Sequence, residues 1–134
     1  MADSEPRAIK FVRAQIDVVE DDHCQAVVEL ESRESGVFKG TAQGGLNEMD
    51  QLRAVARATS DALSDAFETK NARVRVRNVQ LVEGMVQTVV VVFLSASKGE
   101  HTQSLLGICD GMSDLTTATA LAVLNATNRF LDRE

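Results

Sequence analysis

Gly40-Thr41-Ala42-Gln43-Gly44 and Gly107-Ile108-Cys109-Asp110-Gly111 decide the fold. Each run ends a stretch that reads as strand, and each gives way to apolar residues in steps of three and four. The first pattern is extended and the second helical, so each glycine pair marks a strand-to-helix junction. Setting Gly40 opposite Gly107 and Gly44 opposite Gly111 makes the two halves read alike: strand, strand, Gly-x-x-x-Gly, polar cap, helix. The sequence therefore predicts an α+β fold of two tandem β-β-β-α units, with antiparallel sheets and two helices packed on one side.

Outward from the first junction, Val37 to Gln43 is the third strand of its unit. Cys24, Ala26, Val28 and Leu30 alternate with polar residues in the second. In the first, Val12, Ala14, Ile16 and Val18 are expected on one face, with Arg13, Gln15 and Asp17 on the other. Glu20-Asp21-Asp22-His23 and Glu34-Ser35-Gly36 supply the turns. Asn47 is a good helix N-cap, with Glu48 and Asp50 suited to the positive end of the dipole. Leu52, Val55, Ala56, Thr59, Ala62, Leu63, Ala66 and Phe67 form one apolar stripe, which predicts a one-faced surface helix.

The second unit follows the connector Glu68 to Ala72. Arg73 to Val82 changes side-chain parity near Asn78, which predicts a bulge. Val86 to Ser95 is almost continuously apolar and reads as a central strand. Thr102 to Ile108 is the third strand, and a helix runs from Ser113 or Asp114 to Leu131. The repeat alignment sets Leu52, Val55, Ala56, Thr59 and Leu63 opposite Thr119, Ala122, Val123, Ala126 and Phe130. This second helix is apolar on two sides, because Leu121, Leu124, Asn128 and Leu131 add a second face. Either it sits centrally in the domain or it meets a second chain, which makes those four residues the candidate homodimer interface.

One domain is expected over residues 1–134, with repeats at about 9–67 and 73–131 and a loose lead-in over 1–8. Hydrophobic residues make up 44% of the chain, too many for disorder, yet aromatics are 4% with no Trp or Tyr. The core must come from Val, Leu, Ile and Ala, and base-stacking platforms lack their usual material. A formal charge of −6 disfavours nucleic acid and anionic membranes as partners. The acidic start has no apolar signal-peptide core, so a freestanding cytoplasmic protein is expected. Cys24 and Cys109 read as free thiols of a reducing compartment.

Little in the chain invites catalysis. His23 and His101 fall in predicted turns of different repeats. Asp21-Asp22-His23-Cys24 lacks a second ligand cluster at zinc spacing, and no P-loop, nucleophile elbow or metalloprotease motif is present. No enzyme activity, metal or cofactor is expected. Arg73, Arg75 and Arg77 line one strand face, ready either for an anion or for solvent and salt bridges. The glycine turns are the candidate ligand site: Gly44, Gly45 and Asn47 in one, Gly111, Ser113 and Asp114 in the other. Glycine admits close approach to the backbone, and helix N-termini favour a carboxylate or phosphate; ordinary helix capping is the competing explanation.

Gly111-Met112-Ser113-Asp114-Leu115, Ala118-Thr119-Ala120 and Leu124-Asn125-Ala126-Thr127-Asn128-Arg129 resemble the end of the C-terminal regulatory domain of 2-isopropylmalate synthases. That domain also has two β-β-β-α units, binds the feedback inhibitor leucine and contributes to dimer formation. The specific motif is confined to residues 111–129; the glycine loop is about one residue shorter, and the first repeat matches loosely. The catalytic barrel and its metal ligands have no counterpart here. The resemblance implies a homodimeric regulatory domain that senses a small amino or organic acid. A structural adaptor that binds protein partners is the alternative.

Overall fold

The computed structural model describes residues 9–32, 36–67, 72–111 and 114–132. The lead-in over 1–8, Glu34 and Ser35 of the second turn, most of the connector, and Ser113 lie outside them, as does the side chain of Leu131. The elements run β1 (Ile9–Val19), β2 (His23–Ser32), β3 (Gly36–Gly44), α1 (Glu48–Ala66), β4 (Ala72–Glu83), β5 (Thr88–Lys98), β6 (His101–Asp110) and α2 (Leu115–Asp132). Two three-stranded antiparallel sheets result, ordered β1-β2-β3 and β4-β5-β6. The fold is α+β, built from two β-β-β-α units as the glycine pairs require.

Alternation fixes which face of each sheet is buried. On the central strands, Cys24, Ala26, Val28 and Leu30 and then Val90, Val92, Leu94 and Ala96 point inward and are buried. The bulge expected near Asn78 lies between Val76 and Asn78. A second bulge occupies the matching place in β1, between Phe11 and Arg13. It corrects the sequence reading of that strand. The extra residue turns Val12 outward, where it is 44% exposed, while Ile9 is buried and Phe11 packs against the core. Val18, also expected inside, is exposed at the strand end.

Each helix touches both sheets. α1 packs on β2 and β3, reaches β4 and meets α2; α2 packs on β5 and β6 and reaches β1. α1 is therefore not the one-faced surface helix its main stripe predicts. Ala54, Ala58 and Ser60 are buried beside Leu52, Val55, Thr59 and Leu63, leaving Arg53, Arg57, Asp61 and Asp65 exposed. Buried threonines spend their hydroxyls within the helices: Thr59 donates to the Val55 carbonyl at 2.8 Å and Thr127 to that of Val123 at 2.9 Å.

Gly40 and Gly107 set how closely the helices approach. Gly40 pairs with Val28 and Gly107 with Val92, each at the middle of its sheet's inner face. A methyl group at Gly40 would overlap the Ala58 carbonyl oxygen, and one at Gly107 would overlap that of Ala122. The equivalent helix positions are thus Ala58 and Ala122, not Ala58 and Asn125 as the alignment through the helix caps implies. α2 is displaced by three residues, nearly one turn. Burial follows the corrected register: Ala54 to Leu63 and Ala118 to Thr127 show the same pattern, broken at Arg57 and Asp61 and at Leu121 and Asn125.

Gly40→Ala and Gly107→Ala are expected to destabilise the protein by about 3 kcal/mol or more, since backbone blocks the new methyl group. Gly99 instead has a positive φ, of 62°, and nothing lies near its missing side chain. Gly99→Ala should cost only about 1 kcal/mol. Urea unfolding of the three variants measures the difference.

Candidate functional site

Neighbouring residues crowd the described glycines of both turns. A side chain on Gly44 would come within 2.9 Å of the Asp50 carbonyl and 3.2 Å of the Ala54 methyl. Cys24 donates its thiol to the Gly45 carbonyl at 3.3 Å. Asn47 caps α1: its Oδ1 accepts from the Asp50 amide at 2.8 Å, and its Nδ2 donates to the Asp50 carboxylate at 3.0 Å. At the other junction the Gly111 amide donates to the Thr88 carbonyl at 2.7 Å. Asp114 accepts from the Thr116 and Thr117 amides at 3.1 and 3.3 Å and from the Thr117 hydroxyl at 2.6 Å. The Thr117 hydroxyl, with those amides, holds the Asp114 carboxyl below the usual range. Much of the anion-binding capacity of both termini is taken up by these caps.

The four candidate dimer residues also fall inward where they are described. Leu124 and Asn128 are 3% and 5% exposed within a single chain, and Leu121 is half-buried. In the corrected register Leu124 stands where Ser60 does, on the flank of α1 that meets β4; the corresponding strand for α2 is β1. Leu124 and Asn128 are thus covered within one chain. The Asn128 amide nitrogen is buried without a hydrogen-bond partner. Cys24 and Cys109 are free thiols, and burial pushes the Cys109 thiol up. Among the described residues, no three His, Cys, Asp or Glu side chains gather as metal ligands. No described helix is long and apolar enough to cross a membrane.

An open cleft of about 690 Å³ lies elsewhere, where the edge strands β3 and β4 flank α1. Thr41 and Gln43 form one wall, and Arg57, Ser60, Asp61 and Ser64 of α1 form the floor. The other wall is β4, with Arg73, Arg75 and Arg77, and beyond it Ser95, Ser97 and Thr102 of the second sheet. Both strand edges are anchored to the floor: Arg57 donates to the Gln43 carbonyl, and the Val74 amide donates to Ser64 Oγ at 3.3 Å. Burial and the nearby Asp65 raise the Asp61 carboxyl, with Arg57 opposing them. Arg73, Arg75 and Arg77 are exposed and have no ion pair or hydrogen bond among the described residues.

Among the described residues no salt bridge occupies the arginine row, which leaves it open to solvent or to an anion. Sequence reasoning found the row but missed the rest of the cleft, because α1 and β3 reach it only through tertiary packing. The one available signal was Arg57 and Asp61 on the polar side of the first helix. No protein-family model and no curated protein matches the chain.

Asp114 supplies a test of the capping geometry. A carboxyl lowered by folding adds stability that is complete above its unfolded value, near pH 4, and lost as pH falls through the folded one. Asp114→Asn keeps a good cap without that titration. Denaturant unfolding at stepped pH should show the variant losing less stability than wild type on acidification below about pH 4.

Proposed function

We propose that this chain is a non-catalytic regulatory or small-molecule-binding domain that takes a small carboxylate-bearing metabolite in the cleft between β3, α1 and β4. The carrying observation is the row Arg73, Arg75 and Arg77, solvent-facing on a cleft wall and without an ion pair among the described residues, in a protein with net charge −6. A guanidinium fork matches a carboxylate in two parallel hydrogen bonds, and hydroxyls lie beside the row to complete them. The cleft suits a molecule of metabolite size. Resemblance of residues 111–129 to the regulatory domain of 2-isopropylmalate synthases agrees with sensing, although the site argued from geometry is not the glycine turns. The two free thiols fit a reducing cytoplasm.

Thermal-shift screening against organic and amino acids tests this reading, because a ligand of the native state raises its apparent stability. One or more carboxylates should raise the melting temperature of wild type, and Arg75→Gln should reduce the rise without changing the ligand-free melting temperature. Equal shifts in wild type and variant would place binding outside the cleft.

A second observation supports dimerisation through a different surface. On the outer face of the second sheet, Leu106 and Ile108 are 45% and 52% exposed beside Phe93 and Val91. The patch continues through Val82 to Met85 and Val86 at the hairpin. The outer face of the first sheet instead carries the ion pair of Arg13 and Glu29 at 3.1 Å, next to Lys39. An apolar sheet face of this extent fits an isologous contact between two copies. Sedimentation should find a dimer that Ile108→Asp converts to a folded monomer; a monomeric wild type at high concentration would remove this reading.

A further inference from the structure

The cleft wall repeats itself along the strands. Arg73 pairs with Ser97, which pairs with Thr102; Arg75 pairs with Ser95, which pairs with Ser104. Each row thus sets one guanidinium beside hydroxyls on the same sheet face, and the rows are two residues apart, about 7 Å. Arg77 lies at the bulge, and the next row, Asn78, Phe93 and Leu106, offers no hydroxyl.

We infer that the cleft binds an elongated dianion, one acidic group per row, rather than a single carboxylate; this rests on the cleft being the carboxylate site proposed above. Short Ser95 and Ser97 side chains fix two anchor points, whereas the long arginine stems adapt. Each fork closes over an acidic group seated at its own row's hydroxyls. A single carboxylate leaves one row of like charge uncompensated. Asp61 and Asp65 on α1 lie beside the cleft and oppose a longer polyanion. With no aromatic side chain lining the cleft, a flexible aliphatic spacer suits it better than a ring.

Calorimetry with succinate, glutarate, adipate, pimelate and suberate, alongside butyrate and hexanoate, tests the inference on the whole chain. Each bond of an extended chain advances about 1.2 Å, so adipate and pimelate best match the row spacing. They should bind at least roughly tenfold more tightly than hexanoate, the worth of one further charge-assisted contact. Arg73→Gln and Arg75→Gln should each bring adipate down to the affinity of hexanoate. If monocarboxylates and dicarboxylates bind alike and both lose affinity in Arg75→Gln, the dianion inference fails while the carboxylate cleft stands. If no compound binds, the cleft reading falls with it. An alkane bisphosphonate of matched length separates the acidic groups: if it outcompetes adipate, the two-row geometry holds with phosphoryl groups as the natural occupants.

Discussion

The contact between a strand glycine and a helix backbone, made once in each half, governs how the layers fit. At Gly40 and Gly107 the helix carbonyls of Ala58 and Ala122 occupy the space a side chain would fill. Helices this close to a sheet leave room only for small or slender side chains. The interface is accordingly Ala54, Ala58, Ala62, Ala118, Ala122 and Ala126 on the helices against Ala26, Val28, Val90 and Val92 on the central strands, all buried. Dense packing of small groups supplies the dispersion contacts that large aromatic side chains provide elsewhere. That explains how a chain with 4% aromatics makes a continuous core.

Close approach also solves the problem of exposed sheet edges. Two three-stranded sheets have four edge strands, and an unpaired edge invites another chain to pair with it. Here the helices offer polar groups to three of those edges. Arg57 satisfies the Gln43 carbonyl of β3, Ser64 accepts the Val74 amide of β4, and Asn125 donates to the Ile108 carbonyl of β6 at 3.5 Å. These polar residues on α1 and α2 therefore have a structural role. They also place Arg57 and Ser64 on the floor of the cleft, so the same packing that guards the edges builds the candidate site.

The architecture was legible in the sequence because its signals are local. Period-two alternation, the Gly-x-x-x-Gly spacing and the Asn47 cap each act within a few residues, and the parity change near Asn78 revealed one bulge directly. The bulge at Val12 left a similar parity change, Ile9 and Phe11 against Ala14 and Ile16, but Val12 is itself apolar and extends the second run, which hid it. Helix register failed for a related reason. Caps align Asn47 with Asp114, but the sheet contact aligns Ala58 with Ala122, and only tertiary packing sees the second relation. That slip carried Leu124 and Asn128 onto a surface that the folded chain covers itself. Glycine turns drew attention as ligand sites on loop chemistry alone, whereas the Asp50 and Thr88 carbonyls lie against Gly44 and Gly111, and Asn47 and Asp114 cap the helices.

The two repeats share a backbone plan, and their differences fall mainly on solvent-facing positions, where packing does not decide the residue. In the first unit the outer sheet face balances Arg13 and Lys39 against Glu29. In the second, Arg73 and Arg75 of β4 stand two residues apart with serines, not carboxylates, opposite them. Neighbouring like charges at about 7 Å repel by roughly 0.6 kcal/mol in water, more where the protein lowers the dielectric. Folding alone gains nothing from that arrangement, and acids at Ser95 and Ser97 would relieve it. An uncompensated row on a protein otherwise rich in acids concentrates positive potential at one cleft. At the proposed site such a pattern would favour small anions, while the surrounding negative charge would oppose extended polyanions.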